Sequence, residues 1–516
     1  MLANWSADKV HFAQFLRPIG AAMSKYVGGA LIPTLKIDRG DRSNLAFQLT
    51  VALRQLILSG DLSAGTRLPA SRTLARDQGV SRTTVISAFE QLAAEGLLDS
   101  RIGAGTYVSA GMRVPKPAAA AARPPEELPH LARLGARIRE PYFPRLGHPP
   151  APRAFVTGMP AFDAFPGALW SRMSSQYWRE NRAGIMSYPD PAGLFELREA
   201  ICQHLRANRG LVCQPDHLFV FSGAQDAFTQ IARMLVNPGD KVWLENPGAI
   251  GARNAFLSCG AEPVPVPVDE EGIDVEAGLK LSPDFRIAFV TPAYQHPLGV
   301  TMSLARRMQL LDAAEGAGAF IVEDDYVGEF HYGATTLPPL KTLDGGQRVI
   351  YVGTFSKTLF PAVRLGFAVV PPALAPMIER TLAAIAHGVA HSVQGITARF
   401  IAEGHFASHI RRMRGIYAGR RDALLAAAAR DLGGRLEVRP TETGFHTVGI
   451  IPDGADEEVA LAEAAGRAGL AVTPLSRYAL EPIAQRGVTL GFSAVPPIEI
   501  ERGVRVLAEI VDRPPA

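Results

Sequence analysis

The first patterned part of the chain has apolar residues at every third or fourth position, the period of an amphipathic helix. Three such stretches follow one another. The first predicts a helix that ends near Gly60, with apolar positions at Leu45, Leu49, Leu53, Leu56 and Ile57. The second runs from Ser71 to just before Gly79, and the third begins with Ser81 as its N-cap and ends at Gly96. The apolar face of the third helix consists of Val85, Ala88, Phe89 and Leu92.

Two short β-like runs follow Gly96. They cover residues 97–100 and 106–108, and the segment that joins them contains Gly103 and Gly105. Residues 45–110 therefore predict a small domain of three helices followed by a glycine-tipped hairpin.

The regions on either side of this small domain differ from it. Residues 1–44 show no clear pattern, and we assign them no function. Residues 111–152 contain ten of the chain's 40 prolines and the run Ala118–Ala122. Because proline removes a hydrogen-bond donor and keeps the chain extended, this segment is predicted to be a linker.

From residue 153 to residue 516, apolar runs of strand length alternate with longer helical patterns. This alternation favours an α/β domain with a mostly parallel sheet and helices on both faces. The predicted strands are Leu218–Phe221, Lys241–Leu244, Arg286–Val290, Phe320–Val322, Val349–Val352 and Phe367–Val370.

The charge of the chain is unevenly divided. With 53 Lys and Arg against 50 Asp and Glu, the net charge is +3, which excludes a polybasic coat over the whole protein. Residues 1–115 hold 13 basic and 8 acidic residues, a net charge of +5, so a local basic face remains possible.

Composition also bears on the compartment. The three cysteines, Cys202, Cys213 and Cys259, fit no metal-ligand spacing and predict inert thiols in a reducing cytoplasm. The first thirty residues lack the apolar core of a secretory signal. The longest uncharged stretch in the second half, Thr381–Ala398, is too polar for a membrane span. We therefore expect a cytoplasmic protein with no metal site and no membrane partner.

The step from the second to the third helix has the length of a helix-turn-helix turn. It places Ser81, Arg82, Thr83 and Thr84 on the first helical turn, where a recognition helix faces base edges in the major groove. Arg82 can form a bidentate contact with guanine, and Arg72 can bind a phosphate. The pattern alone leaves open a small helical domain whose arginines are merely solvated.

In the large domain, the motif Ser222-Gly223-Ala224-Gln225 lies between a predicted strand and a predicted helix. A turn of small residues at a helix N-terminus can bind phosphate through backbone N–H groups and the helix dipole. The motif is a weak signal by itself.

A second motif, Glu323-Asp324-Asp325-Tyr326, ends an apolar strand. A carboxylate there is costly to bury unless it meets a cation, and a protonated pyridine nitrogen is such a cation. Tyr326 can then reach an oxygen on the same ring. A pair of capping aspartates is the alternative.

A third motif, Gly353-Thr354-Phe355-Ser356-Lys357-Thr358, follows the next strand. A lysine among hydroxyl residues at a strand end is a candidate Schiff-base lysine, and the alternative is a surface lysine. Thr354, Ser356 and Arg364 can bind a phosphate. A fourth motif, residues 291–299, contains Tyr294 and is expected to form a loop beside the ring. One phosphorylated pyridine that carries an aldehyde fits all four motifs.

Two family resemblances extend this interpretation. The run LPASRTLARDQGVSRTTVISAFEQLAAEGLLDSRIGAGTYV, residues 68–108, closely resembles the winged helix-turn-helix of GntR-type bacterial regulators. That resemblance implies an α+β winged helix-turn-helix head that binds double-stranded DNA. Its implied DNA contacts are Arg72, Ser81, Arg82, Thr83, Thr84 and Gly103.

From about residue 153, the chain resembles the fold-type I aminotransferases, which bind pyridoxal 5′-phosphate (PLP). The likeness is strongest at TPAYQHPLGVTMS, VEDDYVGEF and YVGTFSKTLFPAVRLGF. It implies an internal aldimine at Lys357, a contact of Asp324 with the pyridine nitrogen and a hydrogen bond from Tyr326 to the ring oxygen. It implies phosphate ligands at Gly223, Ala224, Gln225, Thr354, Ser356 and Arg364. Tyr188 matches a tyrosine that reaches the phosphate of the neighbouring subunit, which implies a homodimer.

A GntR-like head joined by a linker to an aminotransferase-like domain is the arrangement of the MocR subfamily of regulators. Three positions bear on how far the likeness extends. Ala249 stands where many relatives have a tyrosine beside the cofactor, so stacking is expected from Tyr294 or His296 instead. Thr489 stands where working aminotransferases commonly have the arginine that binds the substrate carboxylate. Arg477 is a candidate ligand for the carboxylate of an effector, and a structural ion pair is the alternative.

The sequence therefore predicts a PLP-dependent transcriptional regulator. The MocR resemblance implies that it senses PLP, or a small amine or amino acid, through aldimine exchange at Lys357. A working aminotransferase with a DNA-binding head is the alternative, and Thr489 argues against it. A third possibility, a large domain that serves only as a dimerisation scaffold, conflicts with the presence of Lys357, Asp324, Tyr326 and Arg364.

Overall fold

The structure is a computed structural model of the chain. It describes residues 30, 32, 35, 37–38, 44–101, 105–111, 151–333, 337–345, 347–386, 388–452 and 457–512. The chain divides into two compact units, Met1–Pro129 and His130–Ala516.

The N-terminal unit consists of three helices and a hairpin, as predicted from the spacing of apolar residues. Its elements are α1 (Leu45–Leu58), α2 (Ser71–Asp77), α3 (Arg82–Ala94), β1 (Leu98–Arg101) and β2 (Gly105–Val108). The predicted apolar face of α3, Val85, Ala88, Phe89 and Leu92, is buried against α1. Burial of a large apolar side chain such as Leu92 contributes roughly 1.5–3 kcal/mol relative to exposure, so this face holds the unit together.

The ends of α3 also follow the sequence prediction. The Ser81 side chain accepts a hydrogen bond from the Thr84 backbone N–H at 3.1 Å, which caps the helix. Gly96, two residues beyond the helix, has a φ of +73°, and it lets the chain turn into the hairpin. In the hairpin, β1 and β2 are antiparallel, with Leu98 opposite Val108.

The larger unit contains two sheets. The first has eight strands in the order β3-β10-β9-β8-β7-β4-β5-β6, and the second has four in the order β11-β12-β14-β13. The strands of the first sheet are β3 (Leu218–Phe221), β4 (Lys241–Asn246), β5 (Glu262–Asp269), β6 (Gly272–Ile273), β7 (Ile287–Val290), β8 (Phe320–Asp325), β9 (Val349–Thr354) and β10 (Gly366–Val369). Those of the second are β11 (Glu437–Val438), β12 (His446–Ile450), β13 (Thr473–Pro474) and β14 (Gly487–Gly491).

The eight-stranded sheet is mostly parallel, as predicted. Its central strands β9, β8, β7, β4 and β5 run parallel to one another, and β10 is antiparallel to both of its neighbours. Strands β4, β7, β8 and β9 are buried along almost their whole length, as expected for a parallel sheet with helices on both faces. The helices of this unit are α4 (Gly167–Glu180), α5 (Arg182–Ile185), α6 (Phe195–Arg209), α7 (Ala224–Leu235), α8 (Ile250–Ser258), α9 (Val275–Leu281), α10 (Leu304–Ala317), α11 (Leu340–Leu343), α12 (Phe355–Thr358), α13 (Ala375–Ile385), α14 (His391–Ala402), α15 (His405–Asp431), α16 (Glu457–Arg467) and α17 (Pro497–Asp512).

Strand β5 was not among the predicted strands, and its sequence, with Pro263, Pro265 and Pro267, is untypical of a strand. The prolines alternate with Val264 and Val266, which are buried. β5 pairs with β4 on one side, and β6 pairs with it at Val268 and Asp269. Along most of β5, the edge that faces away from β4 is therefore not paired with another strand. A proline whose nitrogen lies on that edge removes no hydrogen bond between strands.

The four-stranded antiparallel sheet lies in the C-terminal part of this unit, with α15 and α17 packed against each other beside it. Its strand β14 also contacts the first described residues after position 150, since the Gly491 N–H donates to the carbonyl oxygen of Phe155 at 2.9 Å. None of the helices in the described ranges has the length and the apolar composition needed to cross a membrane.

Candidate functional site

The N-terminal turns of α2 and α3 form the polar surface that the sequence predicted to contact DNA. Arg72, Arg82 and Thr83 are exposed. Ser81 Oγ lies 2.7 Å from the hydroxyls of both Thr83 and Thr84, so Ser81 orders this turn as well as capping it. The Nε atom of Arg82 donates to Ser71 Oγ at 3.4 Å, which brings the starts of the two helices together. Two helix N-termini with two exposed arginines make an anion-binding surface.

The hairpin contains the remaining predicted DNA contact. That residue, Gly103, lies outside the described residues, whereas Arg101 and Gly105 are described. Gly105 has a φ of +109°, and a Cβ atom there would lie 3.0 Å from Arg67 Nε. The guanidinium of Arg101 lies 5.0 Å from the ring centre of Tyr107. Arg67 and Arg101 are two further cations beside the hairpin that were not predicted as DNA contacts. Arg101 lies two positions before Gly103 in the sequence, whereas Arg67 is brought beside the hairpin by the fold.

In the larger unit, three parallel strands bring the predicted cofactor motifs together. Because β7, β8 and β9 are adjacent and parallel, their C-terminal ends lie at one edge of the sheet. His296 follows β7, Asp324 and Tyr326 lie at the end of β8, and Lys357 lies in α12 directly after β9. The rings of His296 and Tyr326 are 5.8 Å apart, edge to face. The sequence motifs thus converge on one site.

Asp324 is the electrostatic centre of this site. It is 8% exposed, and burial, together with the negative charges of Asp325 and Glu245, raises its pKa to about 8, while the positive charge of Lys357 lowers it. Its Oδ1 atom has no hydrogen-bond partner among the described residues. A buried carboxylate in these surroundings requires a cation, and a protonated pyridine nitrogen supplies one.

Two more buried polar atoms are without a partner among the described residues. They are the hydroxyl oxygen of Tyr326 and the Nδ1 atom of His296. Burial raises the pKa of Tyr326 and lowers the pKa of His296 well below its ordinary value, so both side chains are neutral near pH 7. Buried polar atoms are nearly always hydrogen-bonded, and here three without a partner lie at or just beyond the C-terminal ends of the neighbouring strands β7 and β8. The residues present therefore fit a polar aromatic cofactor such as PLP.

Lys357 extends from the short helix α12 toward the segment that follows residue 150. Its Nζ atom donates to the carbonyl oxygen of Gly158 at 2.6 Å. Gly158 has a φ of +69°, and a Cβ atom there would lie 2.7 Å from the Lys357 Nζ. A glycine is needed at this point both for the backbone conformation and for the approach of the lysine.

The phosphate-binding turn has the form that the sequence predicted. Gly223, with a φ of +89°, is the N-cap residue of α7, and Ala224 and Gln225 form its first turn. A Cβ atom on Gly223 would lie 3.9 Å from the guanidinium of Arg364, a residue with a φ of +49°. The hydroxyl of Thr354 accepts from the Ser356 backbone N–H at 3.2 Å, and this bond caps α12. Backbone N–H groups, a helix dipole and an arginine thus meet where a phosphate would bind.

A buried acidic network supports the loop after β7, and the sequence analysis did not anticipate it. Glu245, at the end of β4, accepts hydrogen bonds from the Thr291 hydroxyl at 2.7 Å and from the Gln295 side chain at 3.2 Å. Burial raises the pKa of Glu245 to about 7. The network fixes the loop that carries His296, and any negative charge on Glu245 also acts on Asp324.

The two predicted tyrosine contacts lie in different surroundings. Tyr294 is 1% exposed, and its hydroxyl donates to the backbone oxygen of His446, so it joins the loop after β7 to the four-stranded sheet. Tyr188 is 93% exposed within the single chain. Of the two side chains that were expected to replace the missing tyrosine at Ala249, His296 is the one whose ring packs against Tyr326.

Thr489, which was expected at the position of the aminotransferase arginine, lies in strand β14 and is fully buried. The Tyr478 hydroxyl forms hydrogen bonds with Thr489, Thr157 and Thr473. The Tyr478 ring lies 5.0 Å from that of His296. A tyrosine and two further threonines thus surround Thr489.

Arg477 precedes Tyr478 in a short 3₁₀ helix, Leu475–Tyr478. It lies near Arg253, a buried arginine of α8 that the sequence analysis did not single out. Burial and the positive charge of Arg477 lower the pKa of Arg253 to about 10. A small pocket beside Arg253 is lined in part by Glu245, Ala249 and Tyr478.

Comparison with known protein families divides the chain into the same two parts. Residues 45–108 match the family of bacterial regulatory proteins named gntR. Residues 172–506 match the family aminotransferase class I and II. Among curated proteins, the chain is 39% identical over 475 residues to the probable rhizopine catabolism regulatory protein MocR of Rhizobium meliloti, with 92% of this chain and 95% of that protein covered. It is 30% identical to the HTH-type pyridoxine biosynthesis transcriptional regulator PdxR of Corynebacterium glutamicum, with 93% and 98% covered.

Among solved structures, the large unit is similar to aminotransferases. The kynurenine aminotransferase of Pyrococcus horikoshii, solved with PMP, is 28% identical to this chain with a TM-score of 0.65. The match covers 71% of this chain and 92% of the aminotransferase chain. The α-aminoadipate aminotransferase LysN of Thermus thermophilus, solved with N-(5′-phosphopyridoxyl)-L-leucine, is 25% identical with a TM-score of 0.67 and covers 74% and 97%.

Proposed function

The chain belongs to the MocR subfamily of GntR-type regulators, PLP-dependent DNA-binding proteins, and we propose that it senses PLP, or a small amine or amino acid, through Lys357. The observation that carries this proposal is the presence of two complete constellations in one chain. One is the exposed turn around Arg82, and the other is the buried site around Lys357, Asp324 and Tyr326.

In this proposal each residue of the buried site has a defined task. Asp324 holds a positive charge on the pyridine nitrogen, and Tyr326 donates a hydrogen bond to the ring oxygen. The phosphate is held by Gly223, Ala224, Gln225, Thr354, Ser356 and Arg364. When bound, PLP supplies an aldehyde that condenses with a primary amine. The Lys357 amino group is the chain's own partner for that aldehyde, and an effector amine competes with it.

The contact of Lys357 with Gly158 supports a route from this competition to the DNA-binding head. We propose that residues 45–110 form the head, residues 111–152 the linker and residues 153–516 the sensor. Gly158 lies in the first described segment after that linker. The same segment is tied to β14 through Phe155 and to Tyr478 through Thr157. A ligand that changes the position of the Lys357 Nζ therefore acts on the segment that leads to the head. Such a differential contact is what ligand-driven switching requires.

Arg477 and Arg253 support an effector that carries an acidic group. Arg253 lines a small pocket, the positive charge of Arg477 acts on it, and a guanidinium binds a carboxylate through a bidentate, charge-assisted contact. Thr489 offers no such charge. We therefore assign the acidic end of the effector to Arg477, with Arg253 behind it.

The proposed assembly is a homodimer in the cytoplasm, bound to paired DNA half-sites. The exposure of Tyr188 supports the dimer, because a tyrosine that is 93% exposed in the single chain is free to reach a second copy. The two symmetry-related heads of a dimer suit an operator made of two half-sites.

The second candidate function is a working aminotransferase with a DNA-binding head. The site's residues favour it, since the groups that hold the cofactor are all present. The surroundings of Thr489 weigh against it, because Tyr478 forms hydrogen bonds there and no arginine is available at that position for a substrate carboxylate.

One experiment tests the proposal against both alternatives. The full-length protein, loaded with PLP, is mixed with a DNA fragment that it has selected from a random library. Primary amines and amino acids are then added, with their N,N-dimethyl analogues as controls that cannot condense with an aldehyde. We expect primary amines, but not their dimethyl analogues, to change DNA affinity and visible absorption together. The substitution Lys357→Ala should abolish this response.

Two results would contradict the proposal. If the Lys357→Ala protein keeps its response to the amine, Lys357 is not the sensor. If the wild-type cofactor is converted to pyridoxamine phosphate with release of a keto product, the protein is an aminotransferase. Borohydride attaches the cofactor permanently to Lys357. After this treatment, the wild-type protein should keep the DNA affinity that it has without amine, even when amine is added.

A further inference from the structure

The sulfur atoms of Cys202 and Cys213 lie 3.1 Å apart. This separation is shorter than an ordinary van der Waals contact between sulfur atoms, and both thiols are reduced in the structure. About 1 Å of further approach would bring the two atoms to the length of a disulfide bond. The contact was not evident from the sequence, where the two cysteines are eleven positions apart.

The local fold explains why these residues meet. Cys202 lies on α6, which ends at Arg209, and Gly210 follows with a φ of +65°. A glycine in this left-handed conformation stops the helix and reverses the chain. The Leu211 N–H then donates to the Leu205 carbonyl oxygen at 3.3 Å, and the chain runs back beside the last turns of α6. This reversal places Cys213 next to Cys202.

The two thiols differ in access. Cys202 is 7% exposed, whereas Cys213 is partly exposed between the exposed residues Val212 and Gln214. A dissolved oxidant can therefore reach Cys213 first, and Cys202 is the buried second thiol. Such an arrangement of an accessible thiol beside a buried one suits the two steps of disulfide exchange.

The two thiols also differ in acidity. The hydrogen bond with Cys202 lowers the pKa of Cys213, and the charge of Lys341 acts in the same direction. The same hydrogen bond and burial raise the pKa of Cys202. Cys213 is thus the thiol that more readily becomes a thiolate, which is the nucleophilic form.

We propose that Cys202 and Cys213 are a redox modification site, at which a small-molecule disulfide such as oxidised glutathione forms a reversible bond within the chain. The Cys213 thiol loses its proton to solvent, and its thiolate attacks one sulfur of the small disulfide. This step forms a mixed disulfide and expels one glutathione thiolate. The Cys202 thiol then loses its proton, attacks Cys213 Sγ and expels the second glutathione thiolate. The two protein thiols lose two electrons and two protons in total, and oxidised glutathione becomes two reduced molecules.

The bond would join two segments that already touch. One is α6, and the other is the segment that leads into β3 and on to the phosphate-binding turn at Gly223. Because the native contact exists before oxidation, the bond needs no rearrangement of the fold. We therefore expect the oxidised protein to remain folded and to melt at a higher temperature than the reduced protein.

The test uses the full-length protein after incubation with oxidised glutathione. Mass spectrometry of the intact, alkylated chain should show that two thiols are protected, and digestion should yield one linked peptide pair that contains Cys202 and Cys213. Dithiothreitol should restore both thiols. The variant Cys259→Ser is the matched control, because it removes the third cysteine and should leave the linked pair unchanged.

Two variants test the order of the steps. Cys202→Ser should stop at a stable glutathione adduct on Cys213, whereas Cys213→Ser should leave Cys202 unmodified because it is buried. The proposal is overturned if the wild-type protein accumulates a glutathione adduct on Cys213, or if neither cysteine reacts while the chain is folded. Circular dichroism of each variant establishes that it is folded before its thiols are analysed.

Discussion

The ε-amino group of Lys357 donates a hydrogen bond of 2.6 Å to the carbonyl oxygen of Gly158, a residue 199 positions earlier in the chain. This contact joins the residue that defines the cofactor site to the first described segment after residue 150. The Ala471 N–H donates to the carbonyl oxygen of Ala154 in that segment at 3.0 Å, and the Ser493 hydroxyl donates to that of Met159 at 2.6 Å. Lys357 thus contacts a segment that the C-terminal part of the unit holds on both sides of Gly158.

The first prediction concerns Gly158→Ala. A Cβ atom at this position would lie 2.7 Å from the Lys357 Nζ, and alanine is strained at a φ of +69°. We expect the variant to lower the free energy of unfolding by about 1–3 kcal/mol, since strain of this kind is present with and without the cofactor. The measurement is thermal unfolding of the apoprotein. Gly167→Ala is the control, because nothing lies within 4 Å of a Cβ atom there. Equal stability of the two variants would show that a side chain at position 158 causes no strain.

The second prediction concerns Asp324 and pH. In the protein without cofactor, burial raises the pKa of Asp324 from 3.8 to about 8, so the fold favours the neutral carboxyl group. This contribution to stability is fully present below about pH 4 and is lost as the pH rises toward 8. Burial also raises the pKa values of Glu245 and Glu323 to about 7, which adds to the trend. The melting temperature of the apoprotein should therefore fall between about pH 5 and pH 8.

Asp324→Asn should flatten this decline without removing it, because Glu245 and Glu323 remain. It should also weaken PLP binding by at least about tenfold, since the pyridine nitrogen loses a buried charged partner. Thermal melts over this pH range, with and without PLP, measure both effects. Asp216→Asn is the control, because the Asp216 side chain is 88% exposed. A decline of the same steepness in Asp324→Asn and wild type would refute the assignment.

The sequence predicted those parts of the fold that depend on short-range pattern. The apolar spacing along α3 and the capping residue Ser81 are local features, and both were identified correctly. Lys357 and Asp324 could be placed at strand ends because each follows an apolar run, and parallel strands bring such ends to one edge.

Features that depend on distant residues could not be predicted in the same way. The prolines of β5 are tolerated because of where that strand lies in the sheet, which no local pattern reveals. The hydrogen bond of Tyr478 with Thr157 joins residues that are far apart in the sequence. Cys202 and Cys213 are closer in sequence, but their contact depends on the chain reversal at Gly210, which the spacing of the cysteines alone does not reveal.

The third prediction separates two kinds of DNA contact in the head. Arg82 lies at the first turn of α3, and Arg82→Ala should relax sequence preference by about 1–3 kcal/mol at one base position. Arg72→Ala should weaken binding to all sequences alike and reduce the dependence of affinity on salt by about one counterion. Binding to a set of single-base variants at several salt concentrations distinguishes the two effects. Arg54→Ala is the control, because Arg54, on α1, pairs with Glu95 at 2.6 Å. A purely uniform loss in Arg82→Ala would make Arg82 a phosphate contact.

The fourth prediction concerns Arg477. If it binds the acidic end of the effector, Arg477→Ala should raise the effector concentration for half-maximal response by about 10–100-fold, because a charge-assisted hydrogen bond is lost. PLP affinity should stay within about twofold of wild type, since Arg477 is not among the residues that hold the cofactor. Arg477→Lys keeps the charge but not the bidentate geometry, so its effect should be intermediate.

The comparison that decides the role of Arg477 uses two ligands rather than one. The effector and its amide, in which the acidic group is neutral, should differ in wild type and should become equivalent in Arg477→Ala. A structural ion pair at Arg477 predicts a different result, since the variant would then lose stability and respond less to both ligands alike. Arg467→Ala is the matched control, because Arg467 is an exposed arginine in the last turn of α16. Because the amide differs from the effector in charge at one end only, its response reports on the acidic end alone, whatever happens at Lys357.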